Sequence, residues 1–181
     1  MVDGEKELIT DAIRGEASAF GSLYDGYQPA IYRFVALKVG SREDAEDITH
    51  HVFLKAWQGM AKYEGRGYPF SSWLYRIARN QIVDFYRARR EHAPIDDYEP
   101  FLLSEDGTAD LIDHQAEIGR VRKTMLDLPG DYQDVIILRF IEERSLEEAA
   151  EALERSVGAT KVLQHRALRR LRALLDGPES S

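Results

Sequence analysis

The stretch Tyr63–Arg90, YEGRGYPFSSWLYRIARNQIVDFYRARR, decides how this chain is read. It opens as a Gly-rich aromatic loop through Gly65, Gly67, Tyr68, Pro69 and Phe70. It continues as a helix in which Trp73, Tyr75, Phe85 and Tyr86 alternate with Arg76, Arg79, Arg87, Arg89 and Arg90. Guanidinium groups suit phosphates and flat rings suit unstacked bases, so the mixture fits a single-strand binder. It fits equally well a core helix whose long basic side chains flank an apolar stripe. The surrounding sequence has to separate the two.

N-terminal to that stretch, residues 5–38 carry a helical period. Leu8, Ile9, Ala12 and Ile13 form one set, and Phe20, Leu23, Tyr24, Tyr27, Ile31 and Phe34–Val35 another. Pro29 lies inside the second set and is expected to kink or divide it. Ser41, followed by Glu43 and Asp44, is a good N-cap for a helix to about Gln58. Its buried stripe is expected to be Ala45, Ile48, Val52, Leu54 with the Lys55 stem, and Ala56. Asp44, Asp47 and His51 fall on the opposite face. Four helices with short connections make a first domain over residues 1–90.

The net charge of −8 argues at first against nucleic acid, but the charge is unevenly spread. Residues 76–90 hold five Arg against Asp84 alone, and residues 155–172 hold six bases and no acid. Between them lie Glu91, Asp96, Asp97, Glu99, Glu105, Asp106, Asp110, Asp113 and Glu117, with no base from 91 to 118. Local fields matter more than the sum at a contact surface. Pro94, Pro100 and Gly107 mark residues 91–116 as a linker, with Ile95, Tyr98, Phe101 and Leu102 as apolar anchors. The absence of cysteine removes disulfides, thiolate metal sites and Cys nucleophiles together. No apolar run reaches membrane-spanning length, and MVDGEKELIT lacks a signal-peptide core, so a cytoplasmic location is expected.

A second helical domain is expected over residues 117–181. Ile112, Ile118, Val121, Met125 and Leu128 carry a helix that Pro129-Gly130 stops. Asp131 is expected to cap the next, with Val135, Ile136, Leu138, Phe140 and Ile141 central to a small bundle. Ser145 opens a capping box with Glu148, and the helix runs to about Leu153. After Glu154-Arg155-Ser156, Ser156 caps a last helix to about Leu175. Two short helices joined by a three-residue turn, the second basic, have the form of a helix-turn-helix. The fold class is all-α: two small helical domains joined by an acidic linker.

Taken together, D-A-E-D-I-T-H-H-V-F-L-K-A-W, P-F-S-S-W-L-Y-R-I-A-R-N, L-P-G-D-Y-Q-D-V-I-I-L-R-F, S-L-E-E-A-A-E-A-L and S-V-G-A-T-K-V-L-Q-H-R-A-L-R-R-L resemble, in that order, a bacterial sigma factor of the sigma-70 family. The resemblance is to the compact extracytoplasmic-function (ECF) type that keeps domains two and four. It implies binding to RNA polymerase core and to promoter DNA, an anti-sigma partner, no catalysis, no cofactor and no metal. Asp44, Glu46, Asp47 and His51 then match the helix that docks on the polymerase clamp. The usual Gln-Glu pair there is His50-His51. Tyr63, Tyr68 and Phe70 match the loop that captures a base flipped from the −10 element, and Arg76, Asn80, Asp84 and Arg87 the positions that hold that strand. Ser156, Lys161, Val162, His165, Arg166 and Arg169 match the −35 reader. The linker matches a segment thought to mimic nucleic acid in a polymerase channel.

This chain departs from the pattern in two places. Thr160 and Gln164 stand where apolar residues are usual, and Val162 and Leu163 where small polar and basic ones are. Either the last helix is slightly rotated, or Val162 packs on a thymine methyl and Leu163 on a protein neighbour. Glu154-Arg155 also replaces a Gly-apolar turn.

Two rival classes remain weaker. Asp47-x-x-His50, Glu46-x-x-x-His50 and Asp110 with His114 have metal-ligand spacing, but supply at most half of a dinuclear carboxylate set. A stand-alone helix-turn-helix regulator would leave the aromatic loop, the first domain and the acidic linker unexplained.

Overall fold

The computed structural model describes residues 4–92, 121 and 123–176, and all regular structure among them is helical. The chain divides into two compact units, Met1–Asp97 and Tyr98–Ser181. Apart from its first two residues, the expected acidic linker lies outside the described residues, as do Ile112 and Ile118.

In the first unit α1 spans Glu5–Ile13, α2 Ala17–Ala36, α3 Arg42–Gly59 and α4 Phe70–His92, with a 3₁₀ turn at Met60–Lys62. Pro29 does not divide α2. It is exposed, as is Asp25 four residues back, so the carbonyl deprived of its N–H partner faces water. The core joins Leu23, Ile31, Phe34 and Val35 of α2 to Val52 and Ala56 of α3 and Leu74, Tyr75 and Ala78 of α4. The Tyr27 hydroxyl donates to Glu5 at 2.7 Å and pins α1 to α2. Ser41 caps α3 as expected, its Oγ accepting from Asp44 N at 3.1 Å.

One expectation for α3 needs correction. Leu54 is 43% exposed, and the stripe runs instead through Ala45, Ile48, Thr49, Val52, Phe53 and Ala56. Phe53 completes the i, i+4 step from Thr49, whereas Leu54 lies 100° further round the helix. In α4, Tyr75 is buried edge-on to Phe34 with centroids 5.3 Å apart.

In the second unit α5 spans Gly130–Ile136, a π-helical segment Ile137–Ile141 continues it, α6 spans Leu146–Leu153 and α7 Val157–Leu175. Pro129, not Asp131, precedes α5 as its N-cap residue. Asp131 sits in the first turn and pairs with Arg155, tying the helix-turn-helix turn to α5. Val135, Ile136, Ile137 and Leu138 are buried, but Phe140 and Ile141 are 50% and 40% exposed. The wider π turn changes the angular step per residue, so a 3.6-residue count misplaces the last two. The capping box of Ser145 and Glu148 is complete.

Glu154 ends α6 with φ 54°, where a side chain costs roughly 1–2 kcal/mol and glycine costs none. Glu154→Gly gives back part of that gain through its freer unfolded chain. A net stabilisation of about 0.5–1 kcal/mol is expected, read as slower hydrogen exchange in α6 and α7. Unchanged or faster exchange would mean that the Glu154 side chain compensates for its backbone.

Candidate nucleic-acid interface

The acidic face of α3 is not uniform. Asp44 is turned toward α4, where Arg89 Nη1 donates to its Oδ2 at 3.2 Å and the same guanidinium lies 5.4 Å from the Phe85 ring centre. Glu46 accepts from Arg42 Nε at 2.7 Å, a bond that raises the guanidinium pKa. Asp47 and His51 are exposed, and His51 Nδ1 lies 2.7 Å from the Asp47 carbonyl oxygen. A carbonyl oxygen only accepts, so the imidazole donates from Nδ1. Of Asp44, Glu46 and Asp47, Asp47 is the one whose carboxylate forms no ion pair among the described residues.

Beside these acids lies an open cleft of about 280 Å³ between α2 and α3, lined by Phe20, Tyr24, His50, Phe53, Leu54 and Trp57. It escapes a sequence reading that assigns Leu54 to the core. The signal that finds it is the pair Phe53-Leu54, of which one helix can bury only one on a given stripe.

The loop from Gly65 is a tight turn. Tyr68 N donates to the Gly65 carbonyl at 2.9 Å, with φ positive at Arg66 (42°) and Gly67 (77°). Its aromatics divide sharply. Phe70 is 1% exposed and cannot meet a base. It opens α4 against Tyr27, Tyr63 and Trp73, with centroids 5.7, 5.3 and 5.5 Å away. Proline at the preceding position fixes the chain entry, which drives this ring inward. Tyr63 is half-buried, 4.8 Å from Trp73, and Tyr68 is 39% exposed. Gly59 lets Trp73 in, since a Cβ there would stand 3.2 Å from the indole.

Along α4, Asn80, Asp84 and Arg87 are exposed and Arg76 is half-buried. Their spacing places all four on one side of the helix, opposite Leu74, Ala78 and Ile82. Arg87 pairs with Asp84 at 3.3 Å, both well exposed, a contact weak enough for a phosphate to displace.

The register of α7 is set from its start. Ser156 Oγ accepts from Ala159 N at 3.2 Å, so this residue's first role is the helix cap, with its hydroxyl hydrogen left to donate. Thr160 is fully buried, and its hydroxyl donates to the Ser156 carbonyl at 3.1 Å. Gln164 is half-buried and accepts from Arg139 Nε at 3.0 Å. Both polar residues therefore occupy inward positions with their hydrogen bonds made, and the helix is not rotated to expose them. Lys161, Val162, His165, Arg166 and Arg169 are all exposed.

The chain matches Sigma-70 region 2 over residues 23–92 and Sigma-70, region 4 over residues 125–173. It is 34% identical over 175 residues to the ECF RNA polymerase sigma factor BldN of Streptomyces coelicolor, covering 93% of this chain and 65% of that protein. It is 30% identical over 180 residues to the ECF RNA polymerase sigma factor SigW of Bacillus subtilis, covering 94% and 96%. A structure of CnrH in complex with the cytosolic domain of CnrY matches with a TM-score of 0.73 at 28% identity, covering 95% of this chain and 97% of that one. With both regions present in order, and SigW matched along nearly its whole length, this chain belongs to the ECF RNA polymerase sigma factors of the sigma-70 family.

Proposed function

We propose that this protein binds RNA polymerase core through α3 of the first unit, captures and holds the opened −10 strand with the Tyr68 loop and α4, and reads the −35 duplex with α7. Residues 1–90 act as the docking and melting domain, 91–116 as the tether and 117–181 as the duplex reader. The observation that carries this is the presence, within one matched family architecture, of an exposed acid at Asp47 and a cationic face on α4 in the first unit, and of a cationic face on α7 in the second. Among the described residues no helix is long and apolar enough to cross a membrane. Work on a polymerase and its promoter places the protein in the cytoplasm. CnrH is matched in a complex with the cytosolic domain of CnrY, and an anti-sigma partner of that kind is expected here too.

The direct test is transcription in vitro with core polymerase and genomic promoter fragments. Initiation above core alone is expected, and its absence sinks the proposal.

Tyr68 offers a phenol face to a flipped base, and base–aromatic stacking is worth about 1–3 kcal/mol. Tyr68→Ala should therefore slow open-complex formation by roughly tenfold or more. Premelted −10 templates should recover part of that loss, because the unstacking cost has already been met. Equal damage on duplex and premelted templates would place Tyr68 elsewhere in the pathway.

On α7 the labour divides by chemistry. Arg166 has the fork geometry for a guanine edge, so Arg166→Ala should relax one base preference by about 1–3 kcal/mol. Lys161→Ala should weaken all sequences alike and reduce the salt slope by about one. Indistinguishable profiles for the two variants would refute the division.

A further inference from the structure

Val162 is the most exposed large apolar side chain of α7, ahead of Val157 and Leu168. Thr160 and Ala167, both fully buried, mark the inward side. Gly158, Val162, His165 and Arg169 follow one another at four, three and four residues on the outward side, flanked by Lys161 and Arg166. Val162 is 50% exposed, and the flanking Lys161 and Arg166 are exposed as well.

Two features make this isopropyl group reachable. Side chains on a helix lean toward its N-terminus, so Val162 lies over the turn occupied by Gly158. That residue has no side chain, and a Cβ built on it would meet nothing within 4 Å. A branched Cβ also confines Val162 almost to a single rotamer in a helix, so little entropy is lost when something packs on it. Among the base edges of the major groove, the apolar group on offer is the C5 methyl of thymine.

We propose that Val162 is a specificity-determining residue that packs on one thymine methyl of the −35 element, with Gly158 leaving the space through which that base edge approaches. This rests on the reading of α7 as the −35 helix and names what the helix reads besides guanine.

The test uses holoenzyme assembled from the full chain and core polymerase. Promoter duplexes carry deoxyuridine in place of each −35 thymine in turn, on either strand. The loss of one methyl contact should lower wild-type affinity about three- to fourfold at one position. In Val162→Ala, thymine and uracil should bind alike there. Gly158→Gln, which its open surroundings accommodate, should also blunt the difference by covering Val162.

Wild-type indifference to uracil at every position would overturn the proposal, as would full methyl discrimination surviving in Val162→Ala. If −35-dependent binding persists with either result, the role of α7 stands and that of Val162 falls. If wild-type binding does not depend on the −35 element at all, both fall.

Discussion

Phe70→Ala is expected to lower the stability of the first unit by about 3–5 kcal/mol, the cost of emptying a fully buried aromatic site. The ring is 1% exposed and touches three other aromatic residues, so Tyr27 on α2, Tyr63 just after the 3₁₀ turn and Trp73 on α4 all lose contacts. For a domain of this size the midpoint of thermal unfolding should fall by roughly 12 °C or more. Both tryptophans of the chain, Trp57 and Trp73, lie in this unit, so their fluorescence follows its unfolding without interference from the other. Tyr68→Ala, two residues away and solvent-facing, should move the midpoint little. A Phe70→Ala protein of native stability that fails only in promoter opening would show that Phe70 leaves the core to meet DNA.

The second large effect is expected at Asp47. Asp44 is engaged with Arg89 and Glu46 with Arg42, whereas the Asp47 carboxylate is exposed and unpaired among the described residues. Of these three it is therefore the acid with most to give to a basic partner. Asp47→Arg replaces attraction by like-charge contact, which costs several kcal/mol at an interface. Affinity for core polymerase should drop by on the order of a hundredfold or more. Helicity should be unchanged, since arginine is at least as good a helix former as aspartate. Asp44→Asn, by contrast, should show a smaller effect on core binding, because its charge is already partly used within the protein. Undiminished co-purification of Asp47→Arg with core would move the docking face off α3.

The two corrected patterns share a cause. Apolar residues at helical spacing put both Leu54 and Phe140 in the core, and both are exposed. In α3 the adjacent Phe53 takes the inward position, and a neighbouring apolar residue must then face outward. In the π segment the step angle itself changes, which no count at 3.6 residues per turn detects. Conversely, Thr160 and Gln164 look misplaced in sequence because their partners, the Ser156 carbonyl and Arg139, are invisible until the chain is folded.

The sequence by itself determined the local rules: the helices, the caps at Ser41, Ser145 and Ser156, the alternation of charge between segments, and the family. These depend on residues within a few positions of one another, where side-chain chemistry and backbone geometry are coupled directly. Tertiary structure alone decided which of several chemically equivalent residues faces outward. Tyr68 rather than Phe70 presents a ring, and Asp47 rather than Asp44 presents a charge, because packing and ion pairing are settled by neighbours distant in the chain. In Tyr63–Arg90 the residue types suit a nucleic-acid surface and a core helix equally, and the fold assigns Phe70, Leu74 and Tyr75 to the core and leaves Tyr68, Asn80, Asp84 and Arg87 in contact with solvent.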